Sequence, residues 1–310
     1  MLFYVRKALI EECKTLTFDD FYSKYTVIDV CKLMDLPIAK PETIYKHLCK
    51  ALVRDVSNWI KLDSCISSKG NQVKYYSKVE QAYIKLQFYY DSQFWHDELV
   101  EVIASELFYN KFDIPVIEQF PVLTNEGWGT YSKDFTNGKT FISFATLCEK
   151  YFGDIIQIPY AERFVRIRDI INKHCNLDVT DYLLVMALTD TIVLNEDRHY
   201  NNFGVLYKDD IYTISPLFDY GLGLFEHDSS YTASKYNNNL EVALRKVKSK
   251  PFLTNHFKTL KSLCDLGYAD KLQYYLKSIV IPDSVYTPSS LSVVYLKTVL
   301  ERVRSIVCIK

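Results

Sequence analysis

The run from Asn195 to Gly223 constrains this chain more than any other part of it: N-E-D-R-H-Y-N-N-F-G-V-L-Y-K-D-D-I-Y-T-I-S-P-L-F-D-Y-G-L-G. A carboxylate, Asp197, is followed five residues on by an amide, Asn202. Two short apolar and β-branched stretches, Phe203 to Tyr207 and Ile211 to Ile214, flank the turn-forming trio Lys208, Asp209 and Asp210, which predicts a hairpin. Pairing those stretches returns a second carboxylate, Asp219, to the level of Asn202. The chain has only nine glycines in 310 residues, and Gly204, Gly221 and Gly223 fall inside this window. In so glycine-poor a chain, that clustering predicts unusual backbone angles there.

Oxygen donors at this spacing suit phosphoryl transfer. Asp197 is placed to orient a hydroxyl nucleophile, while Asn202 and Asp219 form an all-oxygen pair for Mg²⁺ against the phosphates of ATP. Asp and Asn are also ordinary loop residues, and a lone D-x-x-x-x-N would say little. The combination of D-R-H, the amide at plus five and the later D-Y-G gives the functional reading its advantage.

D-R-H-Y-N-N-F-G followed by S-P-L-F-D-Y-G resembles the catalytic segment of HipA-type serine/threonine kinases, including the shorter CtkA-like branch, distant relatives of the phosphatidylinositol 3/4-kinases. The resemblance implies a catalytic aspartate at Asp197, a metal-binding amide at Asn202 and a metal-binding carboxylate at Asp219. His199 matches the histidine of the D-R-H element. Protein kinases of the common type use H-R-D and D-F-G, so the order here points to the HipA and lipid-kinase side of the superfamily. The implied fold is α+β: a bilobal protein-kinase-like fold with a small β-rich N-lobe, a helical C-lobe and an N-terminal helical extension. The implied activity is an ATP- and Mg²⁺-dependent serine/threonine protein kinase that autophosphorylates.

Composition is that of a globular enzyme, 48% hydrophobic and 24% charged. A net charge of −1 gives no overall attraction toward nucleic acid or anionic membranes, so neither is expected as a direct partner. Cys13, Cys31, Cys49, Cys65, Cys148, Cys175, Cys264 and Cys308 are dispersed, form no C-x-x-C pair and follow no secretory signal. They are expected to be reduced thiols, mostly buried, in a cytoplasmic protein; the resemblance also admits a secreted effector. Tyr182 to Leu194, the most apolar stretch, is interrupted by Thr189, Asp190 and Thr191 and suits a buried helix better than a membrane span.

The expected domains are a helical extension over 1–60, a kinase N-lobe over 61–135 and a helical C-lobe with the catalytic loop over 136–310. In the first, Thr17 is a candidate cap, Thr26 with Asp29 resembles a capping box, and Pro41 opens a helix through Ile44, Leu48, Leu52 and Val53. Nearly balanced charge makes a DNA-binding helix-turn-helix the weaker reading, and packing on the kinase body the stronger.

In the second, the turn Ser64 to Asn71 precedes Val73, Tyr75 and Tyr76, and Ala82 to Phe88 is a strand candidate. Ser67, Ser68, Lys69 and Gly70 sit where kinases lay a loop over the nucleotide phosphates. By resemblance Ser67 and Ser68 are also autophosphorylation candidates, and a phosphate there would be repelled by ATP. Lys85, in A-Y-I-K-L-Q, is the candidate phosphate lysine, although strand alternation alone also allows a solvent-facing side chain. Glu98 is expected as its partner, in competition with Glu101 and Glu106 on the same helix. Ile114 to Val122 and Gly129 to Phe135 read as strands. Ser132, Lys133, Asp134 and Phe135 resemble the hinge whose backbone holds adenine between the lobes.

From Thr140 the chain reads as largely helical, with Val179 to Leu194 delivering the catalytic loop. Leu224 to Lys250 takes the place of an activation or substrate loop, and an ordinary surface loop would look similar. Ser249-Lys250-Pro251-Phe252 is similar to a segment that follows this loop in relatives, and no chemistry is assigned to it. The implied partners are a protein substrate with a Ser/Thr acceptor and a cognate antitoxin or other regulatory partner, since the family includes toxin–antitoxin components. A lipid or small-molecule kinase and a non-catalytic kinase-fold interaction module are the alternatives.

Overall fold

The computed structural model describes residues 1–62, 72–90, 93–95, 97–151, 160–224, 239–281 and 290–308. Ser67, Ser68, Lys69 and Gly70 therefore lie outside the described residues, as does 225–238 of the expected activation loop. The chain divides into two compact units: Met1–Glu106 with Glu118–Asp134 and Ile281–Val294, and Leu107–Ile117 with Phe135–Val280 and Tyr295–Lys310.

The first unit opens with α1 (Leu2–Thr15), α2 (Phe18–Lys24), α3 (Val27–Met34) and α4 (Pro41–Lys50). Thr17 Oγ1 accepts from the Asp20 amide at 3.3 Å and Thr26 Oγ1 from the Asp29 amide at 3.1 Å, so both side chains satisfy orphan donors at a helix start. Proline occupies the first position of α4, where no amide is needed. The helix ends at Lys50, short of the expected Val53. Leu52–Arg54 instead forms β1, whose backbone groups are taken up by parallel pairing with the strand Phe120–Thr124.

The strands continue as β2 (Ile60–Leu62), β3 (Lys74–Ser77), β4 (Ala82–Leu86), β5 (Phe88–Tyr90) and β6 (Gln93–Trp95), then α5 (Asp97–Phe108), β7 (Phe120–Thr124) and β8 (Gly127–Lys133). Six of them form one sheet in the order β1-β7-β8-β4-β3-β2, antiparallel except at β1, while β5 and β6 pair separately. The strand expected from Ile114 begins only at Phe120. Gly129 allows β8 to approach β4 closely, since a Cβ there would lie 2.4 Å from the Lys85 carbonyl oxygen.

The four N-terminal helices do not form a separate core. Ile10, Phe21, Met34, Ile44 and Leu48 share one buried cluster with Leu99 of α5, Leu123 of β7 and Trp128 of β8. Within it the Trp128 indole donates to the Met34 carbonyl at 2.6 Å, satisfying both groups away from water.

The second unit contains β9 (Thr140–Ser143), α6 (Phe144–Tyr151), α7 (Tyr160–Cys175), α8 (Thr180–Ile192), β10 (Gly204–Lys208), β11 (Ile211–Ile214), α9 (Leu240–Lys246), β12 (Lys248–Ser249), β13 (Thr254–Asn255), α10 (His256–Leu263), α11 (Ala269–Lys277) and α12 (Ser290–Val307), the last from Tyr295 on. α8 is its axis, buried from Tyr182 through Ile192. A helix without a polar face must be covered all round.

The hairpin expected after the catalytic segment is β10–β11, with Val205 opposite Ile214. Its two turn residues, Asp209 and Asp210, both take left-handed φ, 51° and 62°, matching the twist of a two-residue hairpin. Thr140–Ser143, read from sequence as the start of a helical region, adds to β10 as a third strand. Gly204 is needed for this close pairing rather than for its angles: a Cβ there would lie 2.2 Å from the Ile142 carbonyl oxygen. The left-handed angles flanking the catalytic segment fall instead on Leu194, Asp219 and Leu224, at φ 54°, 65° and 54°. Among the described residues the cysteines are free, with Cys13, Cys31, Cys148 and Cys175 buried and Cys308 exposed. No described helix is long and apolar enough to cross a membrane.

Candidate active site

The second unit builds its polar centre on a buried charge. α8 carries Asp190 in its last turns, among apolar neighbours, and Arg198 returns from the following loop to meet it. The guanidinium is fully buried and donates to Asp190 at 2.9 Å. It also donates to the carbonyl of Asn202, at 3.1 Å, and to the carbonyl of Phe218. Burial is the largest influence and opposes its charge, but the Asp190 carboxylate together with Tyr220 and Tyr182 outweighs it and holds the guanidinium's pKa above the usual range. Tyr220 closes the site from one side, with the guanidinium carbon 4.7 Å from the ring centroid.

Asn195 reinforces the same frame. Its amide nitrogen donates to Asp190 at 3.0 Å and to the Asp219 carbonyl at 3.2 Å. The Asp219 peptide is thus held at the preceding carbonyl by Arg198 and at its own by Asn195, in a left-handed conformation that costs a non-glycine residue about 1 kcal/mol or more.

On this frame three expected residues come together. Asn202 Nδ2 donates to Asp219 Oδ2 at 2.7 Å and to the Asp197 carbonyl at 3.1 Å. The Asp197 amide donates to Asn195 Oδ1 at 3.1 Å. His199 shapes the loop: its Nδ1 accepts from the Asn201 amide at 3.2 Å. Burial lowers the His199 pKa, opposed by the nearby Asp197 and Asp219 carboxylates. The Asp197 carboxylate itself is ion-paired to Lys250, to which the sequence reading gave no role.

In the first unit, strand alternation left the direction of Lys85 open. Its ammonium lies 3.0 Å from Glu101 Oε1, with the lysine 20% and the glutamate 1% exposed. The second Glu101 oxygen accepts from Gln119 Nε2 at 2.7 Å. This ion pair is made with Glu101, one of the competing glutamates, rather than with the expected Glu98. Both are buried on α5, one turn apart on nearly the same side, and the one alongside β4 forms the pair.

The expected hinge residues fall at the end of β8. Ser132 and Lys133 pair with Tyr83 and Ala82 of β4, whereas β7 begins opposite Tyr131, so pairing on that side stops there. The Asp134 amide donates to the Gln81 carbonyl at 2.8 Å. Phe135 belongs to the second unit, where its ring stacks on Phe218 with centroids 5.1 Å apart.

Among solved structures, the chain is similar to a proinflammatory kinase of Helicobacter pylori, CtkA, at 16% identity over 82% of this chain and 95% of that one, with a TM-score of 0.52. The fold is that of the CtkA kinase. A chain from the Shewanella oneidensis MR-1 toxin–antitoxin complex of HipA, HipB and operator DNA also matches, at 13% identity over 78% of this chain and 65% of that one, with a TM-score of 0.41. No family model matches the sequence, and no curated protein matches it.

In a CtkA-like kinase fold the donor chemistry can be tested for a divalent cation. Asn202 supplies an amide whose Nδ2 donates to Asp219 Oδ2 at 2.7 Å and whose Oδ1 would be the ligand, and Asp219 supplies a carboxylate, both on the Arg198 frame. Among the described residues no group of three or more His, Cys, Asp or Glu side chains could hold a metal. Two oxygen donors with the remainder from phosphate and water fit Mg²⁺, which dehydrates reluctantly, and do not fit zinc. The sequence reading missed Arg198 and Lys250. Asp190, a carboxylate inside an apolar helix, was the available signal for a buried cation.

Proposed function

We propose that this chain is a phosphotransferase that moves the γ-phosphoryl group of ATP, with Mg²⁺, to a serine or threonine hydroxyl of a protein. The reading is carried by the meeting of Asn202 and Asp219 at 2.7 Å beside Asp197, on the buried Arg198–Asp190 frame. The kinase fold and the Lys85–Glu101 pair support it.

Asp197 accepts a hydrogen bond from the acceptor hydroxyl and aims its oxygen. That oxygen forms the new bond to the γ-phosphorus, the bond from phosphorus to the β–γ bridging oxygen breaks with its electron pair left on ADP, and the hydroxyl proton passes to Asp197. Held by Asn202 and Asp219, Mg²⁺ would supply charge neutralisation on the phosphate oxygens. Lys85, kept extended by Glu101, binds nucleotide phosphate. Since such transition states are loose, positioning and neutral balance contribute more than proton abstraction.

The test is transfer from γ-labelled ATP, in Mg²⁺, to the purified chain and to protein acceptors. Asp197→Ala and Asp219→Ala should each lower turnover by about 10²-fold or more while melting cooperatively. Phosphate mapped by intact and peptide mass spectrometry is expected at Ser67 or Ser68. Transfer by both variants at the wild-type rate would overturn the assignment, and label found only in lipid would move the acceptor to the lipid class.

A further inference from the structure

Lys250 sits on a segment that the candidate machinery above does not use, yet its ammonium is paired to Asp197 Oδ1. The pairing is prepared by the fold. β12 and β13 form a short ribbon, with Lys248 opposite Asn255 and Ser249 opposite Thr254, and Lys250 leads out of it into a tight turn. Ser249 and Phe252, on either side of the Lys250–Pro251 pair, are both 2% exposed. The Pro251 carbonyl accepts from the Tyr200 hydroxyl at 3.1 Å, and that hydroxyl accepts from the buried Arg163 guanidinium at 3.2 Å. Tyr200 belongs to D-R-H-Y-N-N itself, so the catalytic segment holds the backbone that presents Lys250 to it.

We propose that Lys250 is a positioning residue of phosphoryl transfer: a fixed ammonium that aligns the Asp197 carboxylate and offsets its repulsion with the transferring phosphoryl group. This rests on the kinase reading and adds a residue to it. The acceptor hydroxyl must approach a carboxylate and a polyanionic phosphate at once, and two negative groups a few ångströms apart repel, more strongly in a partly desolvated site than in water. An ammonium between them removes that cost where charge is passing. At 41% exposure the Lys250 side chain contributes little to stability through this pair. Its rigid presentation therefore points to chemistry rather than to folding.

The experiment uses the full chain with Lys250→Met and Lys250→Arg, each first shown to melt within a few degrees of wild type. Lys250→Met is expected to lower kcat for transfer by about 10²-fold and to leave the calorimetric Kd for MgATP within about threefold. Lys250→Arg, which keeps the charge, should recover most of kcat. A second readout needs no activity: acetic anhydride labelling of the nucleotide-free protein, followed by mass spectrometry. Asp197→Asn should raise acetylation of Lys250 at least about threefold relative to Lys248 in the same molecule, as the side chain is no longer held against the Asp197 carboxylate.

Wild-type kcat in Lys250→Met, with an active wild-type control, overturns the proposal. So does unchanged labelling of Lys250 in Asp197→Asn. If the wild type transfers no phosphate at all, the kinase reading fails, and the labelling comparison still decides whether Lys250 holds Asp197.

Discussion

Arg198 makes the clearest case for how single residues in this protein act through others. Its guanidinium joins the end of α8, the Asn202 carbonyl and the peptide before Asp219, so one buried cation fixes the backbone beneath both donors of the proposed cation site. Replacing it with Met keeps the volume but leaves Asp190 charged and uncompensated in an apolar interior. Breaking one side of a buried pair costs on the order of 3–5 kcal/mol, and Arg198→Met should lower the thermal or denaturant midpoint accordingly. Asp190→Asn with Arg198→Met should recover much of that loss, because no buried charge then remains. An unshifted midpoint in Arg198→Met would show that the pair has no structural weight. A second residue-scale contrast separates Glu101 from Glu98. Glu101→Gln removes the counter-charge of Lys85 and should weaken MgATP binding about tenfold, near 1.4 kcal/mol, whereas Glu98→Gln should leave Kd within about twofold of wild type. Three glutamates lie on one helix and the sequence pattern favoured Glu98; register between helix and strand is set by packing that no local pattern records. It did contain the sign of Arg198, in that Asp190 interrupts an apolar run. Lys250 left no comparable sign, because its partner lies 53 residues away and meets it only through the ribbon and Tyr200.

At the level of elements, local chemistry wrote most of the boundaries. Caps at Thr17 and Thr26 and the proline at the start of α4 are short-range devices, and each acts where the sequence placed it. The Asp209–Asp210 turn does the same for β10 and β11. What could not be read were strands made by long-range partners: Leu52–Arg54 is drawn into the sheet by β7, and Thr140–Ser143 by β10. α10 brings a different consequence, in pH. His256, at its first position, is fully buried, and its Nε2 lies 3.0 Å from the Asn195 carbonyl, an arrangement in which the ring nitrogen must donate. Burial pushes its pKa down from 6.5 to about 4. In the unfolded chain the ring takes up its proton near 6.5, so as pH falls from there toward 4 the unfolded state binds more protons and the fold loses stability. The full loss is on the order of 3 kcal/mol and is restored as pH rises again through that window. His256→Gln, a neutral donor, should flatten this part of the profile in chemical denaturation between pH 7 and pH 4. A variant that keeps the same slope would mean that another group carries the acid sensitivity.

On the scale of the whole molecule, each unit keeps its own share of the candidate site residues on its own core. In the first unit the N-terminal helices complete the cluster into which α5 inserts Leu99, two residues before Glu101 on the same helix. Leu99, Leu123 and Trp128 are each at most 2% exposed, and the helices cover them. Removing residues 1–50 would return those side chains to water, at roughly 1.5–3 kcal/mol for each large apolar group and about 3–5 kcal/mol for the tryptophan alone if it were truncated instead. Such a sum is comparable with the total stability of a domain. The truncated chain should therefore lose the cooperative unfolding of the first unit, bind a hydrophobic dye, and show fast amide exchange in α5, β7 and β8, while exchange in α8 and α10 stays slow. A milder lesion, Trp128→Leu in the full chain, should loosen α5 without unfolding the unit, and a displaced Glu101 would then appear as a raised Kd for MgATP although neither residue touches the nucleotide. If the truncated protein melts as sharply as the full chain with unchanged exchange in α5, the helices are an appendage, and the shared cluster contributes nothing to the site.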